Sequence, residues 1–188
     1  MSESFHPSFD THEPEAATSF LEFLLSHPEL ENTDPKHTKL YFDLDETMFK
    51  RSSFTPDTIA GTWRPDMPQT LAGLRERGFS FGILSSGQDG YIQAVLNIYQ
   101  KQFSADPGEF FEDSLSTRTF DELGSKQIAY PEVASKAAIE GRQIIFVDDA
   151  PPNFNQQVGF SIVTVPRTNQ YQDTPDLAYE AVWVQGSF

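Results

Sequence analysis

Apolar residues along this chain come in two rhythms: short dense runs, and stripes spaced three to four residues apart. The runs are Leu40-Tyr41-Phe42, Phe79 to Leu84, Gln143 to Val147 and Ser161 to Val165. Each is too short for a helix and carries aromatic or β-branched residues, so each predicts a buried strand. The stripes predict helices. Ala17, Phe20, Leu21, Leu24 and Leu25 form one, with Pro14 in its first turn and Pro28 at its end. Met67, Leu71 and Leu74 form a second, started by Asp66-Met67-Pro68 and stopped by Gly78. Tyr91, Val95 and Ile98, beside Ile92, Leu96, Tyr99 and Phe103, mark a third over Asp89 to Gln102. A fourth runs from Pro131 to Gly141. Residues 50–63 read as a polar, turn-rich connection, and 104–125 as irregular chain with one short strand around Phe110 or Leu115. From Asp176 the tail adds a short helix and a strand around Val182-Trp183. Strands alternating with helices predict an α/β fold whose central parallel sheet is covered on both faces.

Composition narrows the partners. The 188 residues carry a net charge of −15, which argues against nucleic acid, because phosphate backbones are bound by displacing counterions with Lys and Arg. With no cysteine, disulfides and thiolate metal sites are excluded. Residues 1–35 hold eight acids and no Lys or Arg. They are read as an acidic tail and amphipathic helix, ahead of a domain over 36–188. The acidity disfavours anionic lipid, and no apolar stretch approaches membrane-spanning length. A cytoplasmic protein is the default expectation. The histidines (His6, His12, His27, His37) match no common metal spacing.

Polarity at the strand ends brings in chemistry. Asp43 and Asp45 leave the first strand, Ser85 and Ser86 the second, and Asp148 and Asp149 the third. In a parallel sheet these ends open on one edge, where ligands bind. Four converging carboxylates repel strongly, so a hard cation with oxygen ligands, Mg²⁺, is implied. With it in place one aspartate can act as nucleophile and a neighbour as general acid and base. A hydroxyl and a lysine would hold the oxygens of a transferring phosphoryl group.

Asp43-Leu44-Asp45-Glu46-Thr47, Leu84-Ser85-Ser86-Gly87 and Val147-Asp148-Asp149-Ala150-Pro151-Pro152-Asn153 resemble the first, second and fourth motifs of the haloacid dehalogenase superfamily of aspartate-nucleophile phosphohydrolases. The third motif is a lone lysine. Lys126 and Lys136 both precede Asp148, and Lys126 is preferred because it comes ahead of the expected helix, whereas Lys136 falls within it. The resemblance covers residues 38 to about 166. It implies that Asp43 is the nucleophile and a magnesium ligand. Asp45 would serve as acid and then base, with its backbone carbonyl on magnesium. Ser85 would bind phosphoryl oxygens, Lys126 would neutralise the phosphoaspartate, and Asp148 and Asp149 would complete the metal site. Thr47 shapes the loop. The second aspartate distinguishes phosphate ester cleavage from dehalogenation, since a halide leaves without a proton. Glu46, where many members have Gly, makes the motif similar to that of phosphatases acting on the carboxy-terminal tail of RNA polymerase. Arg64-Pro65 fits them too, while Asp149 stands where those enzymes often have Asn.

The intervals between motifs leave no room for a large cap, so the resemblance implies a Rossmann-like three-layer fold with an open site. Residues 48–63 would be its only lid. Lys50, Arg51, Trp63 and Arg64 are then the flap residues expected to touch substrate, with Ser86 beside them. The expected activity is a magnesium-dependent phosphatase acting through a phosphoaspartate, on a phosphorylated protein or peptide rather than a small metabolite. A phosphotransferase would use the same residues, and a catalytically idle module for phosphorylated partners is the alternative from another class.

Overall fold

The structure is a computed structural model that describes residues 19–154, 159–167 and 179–182. In chain order these form α1 (Phe20–Leu25), α2 (Pro28–Glu31), β1 (Thr38–Phe42), β2 (Phe49–Phe54), β3 (Thr58–Trp63) and α3 (Met67–Glu76). They continue with β4 (Ser80–Ser85), α4 (Asp89–Phe103), β5 (Phe111–Ser116), α5 (Lys126–Ile139), β6 (Gln143–Asp148), β7 (Phe160–Thr164) and β8 (Tyr179–Val182).

The central sheet has the order β5-β4-β1-β6-β7, and each neighbouring pair is parallel. Alternation along the strands divides the core into two layers. Leu40 and Phe42 of β1, Phe81 and Ile83 of β4, and Ile145 and Val147 of β6 pack with α1, α3 and α4. Tyr41, Leu84, Ile144 and Phe146 point the other way and pack with Ala129, Tyr130, Val133 and Ala134 of α5. This is the expected three-layer α/β arrangement, with no large cap domain among the described residues.

The connection over residues 50–63 departs from expectation. It is a hairpin, β2 paired antiparallel with β3, and β8 extends it to a second, three-stranded sheet. Lys50 to Phe54 are polar or exposed while Ile59 to Trp63 are buried, so β2 lacks the apolar run that marks a core strand. Backbone pairing supplies the order instead. The short strand expected around Phe110 or Leu115 is β5, the edge strand over Phe111–Ser116.

The fourth helix also starts earlier than Pro131. It begins at Lys126 with Pro131 inside, forgoing one backbone hydrogen bond. Its end was legible: Gly141 takes φ 71, where glycine carries no Cβ penalty. Upstream, Ser19 and Glu22 form a capping box that starts α1. Leu21 lies so close to α3 that a Cβ on Gly73 would come within 2.5 Å of it, and the Phe20 amide donates to Asp66 at 2.7 Å. The expected beginning of this helix near Pro14, the tail helix from Asp176 and Trp183 lie outside the described residues. No helix among the described residues is long and apolar enough to cross a membrane.

Candidate active site

The carboxyl ends of β1, β4 and β6 meet at one edge of the sheet, as parallel pairing requires. The Asp43 amide still bonds the Val147 carbonyl at 2.9 Å, so Asp43 continues the ladder and its carboxylate is held at the sheet edge, 6% exposed. The chain then turns sharply. Glu46 takes a positive φ of 63, a region that costs a side-chain-bearing residue about 1 kcal/mol. Met48 and Phe49 both bond back to the Leu44 carbonyl.

Two distant residues fasten this turn. Arg64 donates to the Thr47 carbonyl at 2.5 Å and the Pro166 carbonyl at 2.7 Å, and its guanidinium lies over the Phe20 ring. Thr47 accepts from the Asp149 amide at 2.9 Å and donates to the Asp149 carboxylate at 3.1 Å. Arg64 is therefore buried, 3% exposed, and does not line the cleft. Trp63 is buried as well, donating its ring N–H to the Val95 carbonyl.

Opposite Asp43 stands Asp148, the last residue of β6 and fully buried. Lys126 Nζ reaches both, 3.1 Å from Asp43 and 2.7 Å from Asp148. The first residue of α5 is placed for this by the preceding turn, where Gly124 at φ 72 gives its carbonyl to the Thr117 hydroxyl at 2.7 Å. Lys136, the other candidate, sits over the Phe120 ring instead. Asp148 is fixed further by the Ala150 amide at 2.9 Å and by the Tyr130 hydroxyl. The Tyr130 ring stacks on Phe146 at 3.8 Å.

Asp43, Asp148 and Asp149 each offer a carboxylate oxygen within 4.8 Å of the others. Oxygen donors alone, clustered at this density, fit a hard divalent cation such as Mg²⁺. Electrostatics agree. Burial pushes the Asp43 carboxyl up to about 7, against the pull of Lys126, and Asp148 adds to the rise. Burial opposes the charge on Lys126, but Asp43 and Asp148 outweigh it and hold the ammonium above its ordinary range.

The Asp45 side chain lines a cleft of about 560 Å³ shared with Arg51, Phe54, Ser86, Tyr91 and Arg118. Its carboxylate accepts from the Tyr91 hydroxyl, and Arg51 lies 3.9 Å away. Burial raises the Asp45 pKa and the Tyr91 hydrogen bond opposes it. Ser85 is buried behind Ser86, its hydroxyl accepting from the Gly87 amide at 3.2 Å. Four residues here escaped the sequence reading: Tyr91, Tyr130, Arg118 and Arg167, the last 2.9 Å from Asp149. Tyr91 was legible only as an apolar position on its helix, and Tyr130 fell just ahead of the helix expected from Pro131.

A family model described as NLI interacting factor-like phosphatase matches residues 38–178. No curated protein and no solved structure gives a significant match.

Proposed function

The chain belongs to the NLI interacting factor-like phosphatase family, and from that premise we propose that it hydrolyses phosphate monoesters on phosphoproteins through a phosphoaspartate on Asp43. The observation that carries this reading is the bridging of Asp43 and Asp148 by Lys126, with Asp45 lining the adjoining cleft.

Asp43 attacks phosphorus through a carboxylate oxygen, and the bond from phosphorus to the ester oxygen breaks. Asp45 gives its proton to that leaving oxygen. The same carboxylate then takes a proton from water, whose oxygen attacks phosphorus and breaks its bond to Asp43. Phosphate leaves and Asp45 is protonated again. Lys126 offsets the negative charge at Asp43 throughout. Asp43, Asp148 and Asp149, with the Asp45 carbonyl, would hold Mg²⁺, which when bound neutralises the phosphoryl oxygens. Ser85 and Ser86 would hydrogen-bond the phosphoryl oxygens, and Arg51, which lines the cleft, would be the flap cation that meets the substrate.

Among the described residues the cleft has no large cap to enclose a small substrate. Binding energy must come from contacts along the open surface, which a phosphorylated polypeptide can make and a sugar phosphate cannot. The acidic segment up to residue 35 is taken as an N-terminal addition to the catalytic domain over 36–188. A panel of phosphopeptides, sugar phosphates and nucleotides, assayed with Mg²⁺ and with EDTA, tests the reading. Some phosphopeptide should give the highest kcat/KM, and EDTA should abolish turnover. A sugar phosphate reaching about 10⁵ M⁻¹s⁻¹ while every peptide stays far below it would overturn the substrate class.

A further inference from the structure

Two contacts on the Asp45 carboxylate fall on the same oxygen. The Tyr91 hydroxyl donates to Oδ1, and the Arg51 guanidinium approaches Oδ1 at 3.9 Å. A carboxyl that must pass a proton to a leaving group and later take one from water needs a fixed rotation, so that one oxygen faces the reacting atoms at each turn. Holding Oδ1 sets that rotation and leaves Oδ2 for proton transfer.

Tyr91 is itself tightly placed. It is 4% exposed on α4, and a Cβ on Gly87 would lie 2.4 Å from its ring. The Phe54 ring packs edge-on against it at 6.1 Å, and Arg51 lies over both rings, 5.5 Å from Phe54 and 6.0 Å from Tyr91. Glycine at position 87 lets the ring approach, and the β2 side chains close over it. The hydroxyl therefore has little freedom to leave Asp45.

We infer that Tyr91 is the positioning residue of the acid–base step, holding Asp45 Oδ1 so that Oδ2 carries the proton. The inference rests on the proposed phosphatase mechanism and names a specific member of its machinery. Tyr91 touches no reacting atom; it acts through Asp45.

The test is a double-mutant cycle on the full chain with Mg²⁺, comparing wild type, Tyr91→Phe, Asp45→Asn and the double variant. Alkyl and nitrophenyl phosphates are the probes, because an alkoxide needs a proton to leave and a nitrophenolate scarcely does. Tyr91→Phe should lower kcat/KM for the alkyl phosphate by about 10- to 100-fold and for nitrophenyl phosphate by much less. In the Asp45→Asn background the same change should cost under about threefold, since the group it positions is already gone. Equal losses for both leaving groups, or additive losses in the double variant, would overturn the inference. Tyr91→His, which keeps a ring N–H donor, guards against misfolding of the Phe variant; it should retain more of the alkyl rate than Tyr91→Leu, and equality of those two counts against the inference. Absence of activity in wild type would instead strike at the phosphatase reading itself.

Discussion

The site has two halves, and each sets a tyrosine beside an aspartate for a different purpose. Around Asp148 the carboxylate itself is fully buried: Lys126, the Tyr130 hydroxyl and the Ala150 amide all bond it, and the buried Phe146 ring stacks on Tyr130. Around Asp45 the tyrosine is buried but the cleft is open, with Phe54 half exposed and Arg51 at its rim. The first half suits static charge, since low-dielectric surroundings strengthen every attraction and make an unpaired charge costly. The second suits a proton that must come and go beside a large substrate. On the proposed mechanism, burial in one half and access in the other would divide the labour of phosphoryl transfer.

The largest expected effect comes from the charge half. Asp43→Asn should lower phosphate release by at least about 10³-fold while preserving a cooperative fold. Above about pH 7 it also removes a buried negative charge, so there the metal-free variant should melt no lower than wild type. The pH dependence sharpens this. Folded, metal-free protein keeps a proton on Asp43 up to about 7, whereas an unfolded Asp ionises near about 4. The folded state binds the extra proton between those values, so this group's contribution to stability falls as pH rises through that window. Thermal unfolding in EDTA should show that slope in wild type and a shallower one in the variant. An identical slope in both would show that Asp43 is not the group responsible.

Lys126→Met should follow. Removing the cation leaves Asp43 and Asp148 facing each other with no counter-charge, a loss of about 3–5 kcal/mol for a broken buried pair. Melting in EDTA measures it, and added Mg²⁺ should recover part of the loss. A fall of the same size with and without Mg²⁺ would mean that the cluster does not hold the ion.

Tyr130→Phe tests the same half more gently. Asp148 keeps Lys126 and the Ala150 amide, so the expected cost is about 1–3 kcal/mol of stability, with catalysis falling through metal affinity. Titrating Mg²⁺ against activity should displace the midpoint upward and restore most of kcat at saturation.

The smallest effect belongs to the open half. Phe54→Ala removes an exposed ring, so stability should change by about 0.5 kcal/mol or less. It should raise KM for phosphopeptides several-fold and leave nitrophenyl phosphate nearly untouched. A uniform drop in kcat for both would place Phe54 in the chemistry rather than in substrate contact.

Much of this was legible in the order of residues because it rests on local physics. An apolar run followed at once by polar residues marks the end of a buried strand, and Asp43, Ser85 and Asp148 were each found that way. Lys126 could be preferred over Lys136, although the helix meant to separate them starts at Lys126 itself. Pro131 misled because proline usually opens a helix, and here the helix tolerates it. Arg64 looked like a flap cation since it follows the polar, turn-rich connection over residues 50–63. Its actual partners are the carbonyls of Thr47 and Pro166, the latter 102 residues away, and nothing in its neighbours along the chain points there.

By itself, then, the sequence determined the central strands β1, β4, β6 and β7, that they run parallel, and which acids stand at the ends of β1 and β6. Those properties follow from hydrophobic period and from the one edge that parallel strands share. Only the tertiary structure decided which lysine lies between the acids, that residues 50–63 pair into a hairpin, and that Tyr91 and Tyr130 hold Asp45 and Asp148. A helical tyrosine reads as core in any sequence, because its ring is apolar. Where its hydroxyl ends depends on packing that brings together residues 46 positions apart in one case and 18 in the other, and that packing belongs to the whole fold.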